Sequence, residues 1–142
     1  MSKLKDFIQV VHTSTKRNYL ERMNNNKSKC MKIAREFGKD FWDGERKYGY
    51  GGYKYIKDYW KLVAKNFIKS YKLDNKSKIL DVGCGKGFLL YEIKKILPDI
   101  SICGFDISEY AIENSKREIK DSLFVHNAGK KYPFSDKHFD FV

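Results

Sequence analysis

The sequence predicts an α/β fold, a parallel sheet preceded by a helical extension, and three observations carry that prediction. Residues 78–90 run from a short apolar strand through three glycines into helical spacing. Residues 100–106 alternate and close on an acid, and apolar residues before position 77 recur every three or four places. A strand and helix series of this kind implies a parallel sheet with right-handed crossovers.

The first block, residues 1–77, reads as mainly helical. Thr13, Ser14 and Thr15 offer caps, and the spacing predicts a helix over 16–37 with Leu20, Met23, Cys30, Met31, Ile33, Ala34 and Phe37 facing inward. A second helix is predicted over 56–71, where Ile56, Trp60, Val63, Ala64, Phe67, Ile68 and Tyr71 fall on one stripe. Asp74 and Asn75 close the block in a turn.

The second block, residues 78–142, begins with Ile79, Leu80 and Val82, the apolar run expected of a strand covered on both faces. Glycines at 83, 85 and 87 strip side chains from the junction between this strand and the helix over 88–96. A polar ligand can then lie against backbone N–H groups at the helix start. Spacing separates the candidate ligands. A phosphate loop needs Ser or Thr after its lysine, which is missing after Lys86. A dinucleotide fingerprint needs a third glycine where this chain has Phe88. The next strand closes on Asp106, followed by Ile107 and by Ser108, a good helix cap. A carboxylate there can accept hydrogen bonds from both hydroxyls of a ribose.

The turn Asp81-Val82-Gly83-Cys84-Gly85-Lys86-Gly87 closely resembles the first motif of class I methyltransferases that use S-adenosylmethionine. The resemblance covers roughly residues 75–142 and implies a Rossmann-like fold. It implies S-adenosyl-L-methionine as cofactor and S-adenosyl-L-homocysteine as product. Asp81, Gly83, Cys84, Gly85 and Gly87 would line the donor, with Asp81 orienting the turn or a water at the donor's amino group. Asp106 would take the ribose and Ile107 would pack on the adenine. After a third strand over 122–125, the stretch from His126 to Val142 is similar to the family's next motif, which adds Asn127 and Ala128 at the adenine edge. Many relatives carry Asp where this chain has Asn127; the amide oxygen can still accept the bond while the charge is lost.

The family's domain has seven strands, and this sequence stops as the fourth opens. The resemblance therefore implies the N-terminal half of the sheet only. It predicts a fragment whose acceptor half is absent, through truncation, an incomplete reading frame or a separate complementing C-terminal chain. No catalytic base is identified in the residues present. Because the sulfonium already activates the methyl group, the protein's task is alignment of nucleophile, methyl and sulfur.

Composition bounds the partners. The 142 residues make one domain's worth of chain, and 42% hydrophobic content suffices for a core. No apolar stretch reaches the roughly 20 residues needed to cross a membrane, and the N-terminus lacks the apolar core of a signal peptide, so a cytoplasmic location is expected. Cys30, Cys84 and Cys103 lack metal-ligand spacing, so they read as reduced thiols and no metal is expected. Net charge is +11, and all of the excess lies in residues 1–77, with 19 Lys/Arg against 8 Asp/Glu. Such asymmetry suits an anionic partner such as nucleic acid, but the excess of lysine over arginine and the spread of the charges through helical segments favour a compositional bias.

Residues 41–55 are too rich in glycine for a helix and too rich in aromatics for an ordinary linker. Three readings stand: a lid over the donor or acceptor pocket using Tyr48, Tyr50 and Tyr53, a stacking surface for single-stranded nucleic acid, or an ordered structural loop. His12 and His138 read as surface histidines, His126 as a packed neutral one, and Lys86 as solvated. The acceptor expected is a small molecule. Two alternatives to an enzyme on a small molecule remain: a non-catalytic S-adenosylmethionine-binding module, and a nucleic-acid-binding protein or RNA methyltransferase acting through the basic half.

Overall fold

The computed structural model describes residues 6–8 and 27–142. Thr13, Ser14, Thr15, Leu20, Met23 and His12 lie outside the described residues. The elements in chain order are helices α1 (Lys27–Ala34), α2 (Lys39–Asp43) and α3 (Lys61–Tyr71), strand β1 (Lys78–Val82), and helix α4 (Phe88–Ile96). Strand β2 (Ser101–Asp106), helix α5 (Glu109–Glu113), a 3₁₀ turn (Arg117–Ser122) and strand β3 (Leu123–Val125) complete it.

The sheet is parallel. β1 pairs with β2, Ile79 opposite Ile102 and Val82 opposite Phe105, and β2 pairs with β3, Asp106 opposite Val125. On the other side of β1 the chain returns in parallel: Leu80 N–H donates to the Phe141 carbonyl at 2.9 Å, and Ile79 bridges Phe141. The spatial order is β3-β2-β1 followed by the Phe141 segment, so β1 stands where the winding reverses.

Ile79 and Leu80 are both buried, as a central strand requires. Ile79 and Ile102 share one core with Leu90 and Ile93 of α4, Ile119, Leu123 and Ala64 of α3. Phe105 is fully buried and meets the rings of Phe124, His126 and Tyr132. Helix α3 carries Val63 and Ala64 inward and ends with Lys72 in the left-handed region, the Lys72 N–H donating to the Ile68 carbonyl. Asp74 Oδ1 then accepts the N–H groups of Lys76 and Ser77, forming the expected turn before β1.

Three predicted elements are corrected. Over the described residues the first helix runs only from Lys27 to Ala34 and buries none of its side chains; Cys30, Ile33 and Ala34 are half-buried and Met31 is exposed. Phe37 ends the segment with φ +49, incompatible with continued helix. The second helix starts at Lys61 instead of 56, because Asp58 takes a left-handed φ of +64 and breaks the backbone, leaving Ile56 exposed. Residues 41–43, expected to be too glycine-rich for helix, form most of α2, with the glycines placed outside it at 38 and 44.

Candidate functional site

β1 delivers Asp81 to the carboxyl edge of the sheet and the chain turns away at Gly83. The N–H groups of Gly83 and Cys84 both donate to the Phe105 carbonyl, at 2.8 and 3.0 Å, so the turn is pinned to the end of β2. Gly83 has φ +79 and a Cβ there would meet nothing within 4 Å, so open space stands directly beside the strand end. The rest of the turn is closed: Gly85, Lys86, Gly87 and Phe88 are buried. The open part is thus the strand end at Gly83, with Asp81, Val82 and Cys84 around it, and not the helix start that the glycine pattern suggests.

Asp106 ends β2 with both carboxylate oxygens engaged. Oδ2 accepts the Gly85 N–H and Oδ1 the Ser108 N–H, each at 2.8 Å, and the residue is 9% exposed. A carboxylate has about four lone-pair sites, so each oxygen keeps capacity for another donor. Ser108 caps α5 as its sequence position predicts, its Oγ accepting the Ala111 N–H at 3.0 Å.

The electrostatics of this edge run against the chain's overall charge. Burial, and then the neighbouring Asp106, push the Asp81 carboxyl up from 3.8 to about 6. Burial, with the charges of Asp81 and Asp106 adding to it, also pushes the Cys84 thiol well up, which keeps it neutral. A Cβ on Gly104 would come within 3.0 Å of its sulfur, so Cys84 is a packed small residue.

Ile107, next to Asp106, is 48% exposed at the same edge. His126 N–H donates to the Asp106 carbonyl at 2.9 Å, which carries Asn127 and Ala128 just past this edge. Both are exposed. Asn127 Oδ1 accepts the Gly129 N–H at 2.8 Å and its carbonyl accepts the Lys130 N–H, an Asx turn that leaves the amide oxygen one further lone pair. The His126 ring packs between aromatics, with Nε2 buried and without a partner.

The aromatic segment covers the closed side of the turn. Tyr53 stacks on Phe88 at 5.1 Å, Tyr50 stacks on Trp42 at 5.0 Å, and Trp42 is 5% exposed against Gly85. Burial first, then the phenols of Tyr50 and Tyr59 and the charge of Asp81, push the Tyr53 hydroxyl well above its usual range. Tyr48 meets Lys47, whose Nζ lies 4.9 Å from the centre of its ring.

Lys86 overturns its expected solvation. It is 4% exposed, with Nζ at 2.7 Å from Asp43 Oδ2 and 2.8 Å from the Tyr53 carbonyl. Tyr110 OH donates to the same Asp43 oxygen at 2.8 Å. Sequence reasoning passed over Trp42, Asp43 and Tyr110; the one signal for them was the aromatic density of the segment that holds the first two.

A glycine turn after the strand at which the winding reverses, with an acid closing the next strand, defines the class: open α/β domains that bind ligands outside the carboxyl ends of their strands. Residues 73–142, just under half of the chain, match the family described as Methyltransferase domain, and over that stretch the chain resembles part of a class I S-adenosylmethionine-dependent methyltransferase domain. The chain is 31% identical over 68 residues to the demethylmenaquinone methyltransferase of Thermotoga maritima, covering 48% of this chain and 30% of that one. It is 29% identical over 87 residues to the malonyl-[acyl-carrier protein] O-methyltransferase of Hahella chejuensis, covering 54% and 31%. Among solved structures, the MccD protein is similar at 30% identity over 54% of this chain and 36% of that one, with a TM-score of 0.48. The chain spans about a third of the length of the curated relatives it matches.

Proposed function

We propose that this chain is the donor-binding portion of an S-adenosylmethionine-dependent methyltransferase, its donor seated at the carboxyl edge between Gly83 and Asp106. The observation that carries the reading is the open, acidic strand end at the topological switch point. Gly83 leaves the space, and two carboxylates, Asp81 pushed up to about 6 by burial and then by its neighbour Asp106, supply the field. A donor bearing an ammonium and a sulfonium relieves that like-charge repulsion, so the residues present fit the group. When bound, S-adenosylmethionine supplies an activated methyl group.

The residues divide the work. Asp106, oriented by Gly85 and Ser108, receives the ribose hydroxyls through its remaining lone pairs. Asp81 faces the positive end, Gly83, Cys84, Gly85 and Gly87 shape the backbone, and Ile107, Asn127 and Ala128 take the adenine. The described part of residues 1–77 serves as a cap, in which Tyr50 and Tyr53 wall the turn, and Tyr48 belongs to the same segment. Tyr50 gives one ring face to Trp42 and Tyr53 gives one to Phe88, which supports a wall over a nucleic-acid stacking surface. The acceptor in this reading is a small molecule, methylated with the help of residues beyond those described; both curated relatives are named for acceptors other than nucleic acid.

Equilibrium dialysis with labelled S-adenosylmethionine tests the reading. One molecule bound per chain, displaced by S-adenosylhomocysteine and not by ATP or NAD, is expected. Displacement by ATP or NAD, or no retention by folded protein, would overturn it.

A further inference from the structure

We infer that Trp42, which lies outside the part of the chain matched by the methyltransferase family, is a positioning residue for the donor site: it holds both backbone donors that fix the Asp106 carboxylate. The inference rests on the donor reading above. Asp106 is oriented by two N–H groups from different places, Gly85 in the glycine turn and Ser108 at the start of α5. Trp42 touches both. Its indole N–H donates to Ser108 Oγ at 2.8 Å and to the Phe37 carbonyl at 3.1 Å. The far edge of its ring covers Gly85 so closely that an added Cβ would stand 2.9 Å from Cη2 and 3.3 Å from Cζ3.

The brace is itself held in place. Trp42 is 5% exposed, Tyr50 stacks on it with ring planes 8° apart, and its backbone carbonyl accepts the N–H groups of Gly52 and Tyr53. Ser108 Oγ is saturated: it accepts from Trp42 and Ala111 and donates to the Phe37 carbonyl. One side chain of the N-terminal segment therefore sets the spacing of the two donors, and that spacing sets where the free lone pairs of Asp106 point. Recognition of a vicinal diol tolerates misplacement of only about 0.5 Å.

An indole that merely fills space and one that aims Asp106 differ in a measurable way. Loss of packing weakens every ligand of the site alike, whereas loss of aim removes discrimination at the ribose. The test is calorimetric titration of S-adenosylhomocysteine and its 2′-deoxyribose analogue into the wild type, Trp42→Phe, Ser108→Ala and the double variant. The wild type is expected to prefer the ribose form by roughly 10-fold or more. Each single variant should lose roughly 5- to 10-fold in affinity for the ribose form and less than about 2-fold for the deoxy form, and the double variant should be no worse than Trp42→Phe. Equal losses for both ligands, or unchanged affinity in a folded variant, overturn the inference and leave the donor reading standing. A wild type that binds neither ligand removes the donor reading, and the inference with it, before any variant is compared. Should Trp42→Phe fail to fold, Ser108→Ala decides alone, since it retains both the indole packing and the Ser108 N–H.

Discussion

Lys86 Nζ lies 2.7 Å from Asp43 Oδ2, so the lysine of the glycine turn is the buried anchor of the N-terminal segment. Side-chain exposure is 5% for Lys86 and 20% for Asp43, and Tyr110 and the Tyr53 N–H complete the carboxylate's partners. Removing one member of such a pair leaves a desolvated charge behind, which costs about 3 to 5 kcal/mol when burial is complete. Lys86→Met is therefore predicted to lower unfolding stability by about 3 kcal/mol, the low end, because Asp43 keeps some water. Urea unfolding measures it, and a change below about 1 kcal/mol would show the pair to be incidental.

The same anchor has a pH dependence. Burial alone would raise the Asp43 pKa, but hydrogen bonds from Lys86, Tyr110 and the Tyr53 N–H outweigh it, and the net displacement is below 3.8. Its stabilising contribution is present above the unfolded value and lost as pH falls through the lower folded one. Unfolding followed from pH 5 to pH 2 should show wild type losing stability relative to Asp43→Asn in the range below about pH 4.

Asp81 has the opposite sign. Its carboxyl is pushed up to about 6 from 3.8, by burial first and by Asp106 second. Between those values the folded state holds a proton that the unfolded chain has released, so stability falls as pH rises through this window and levels off above it. The stability of Asp81→Asn relative to wild type should rise by about 1 to 3 kcal/mol between pH 4 and pH 7. A difference independent of pH would mean that Asp81 is not held near 6. Under the donor reading, S-adenosylmethionine binding at pH 6 should also release up to about half a proton per site, visible as a dependence of the binding heat on buffer ionisation enthalpy.

Two glycines of the turn should separate stability from binding. Gly83 and Gly85 both have positive φ, at +79° and +56°, so alanine at either carries a backbone cost of about 1 to 2 kcal/mol. At Gly85 the methyl group also strikes the buried Trp42 ring, adding about 1 to 3 kcal/mol of overpacking. At Gly83 it enters open space. Gly85→Ala is predicted to be the less stable variant, and Gly83→Ala to remain folded yet lose donor affinity by roughly 10-fold, as a methyl in the binding space implies. Thermal unfolding beside equilibrium dialysis checks both halves of the contrast.

The legible parts of this chain are those whose signal is local. Ile79 and Leu80 read as a buried strand because a parallel strand covered on both faces needs a continuous apolar run, and Ser108 reads as a cap because its acceptor bond spans three residues. Asp106 was found from its place at the end of a strand. What could not be read depends on partners far along the chain. Lys86 is buried by a carboxylate 43 residues away, and Trp42 finds Ser108 across 66 residues. Neither separation leaves a periodic trace. Helix α2 escaped notice because five residues between two glycines are too short to show a stripe. Met31 misleads, since three- and four-residue spacing predicts an apolar face, whereas the residue is 44% exposed.

Asp106 is the residue on which the donor account turns, and calorimetric titration of S-adenosylhomocysteine into wild type and Asp106→Ala tests it most directly. Two charge-assisted hydrogen bonds worth roughly 1.5 to 3 kcal/mol each predict saturable one-site binding to the wild type and affinity weaker by roughly 100-fold or more in the variant. Equal affinity in two folded proteins, or no saturable heat with the wild type, would contradict the account.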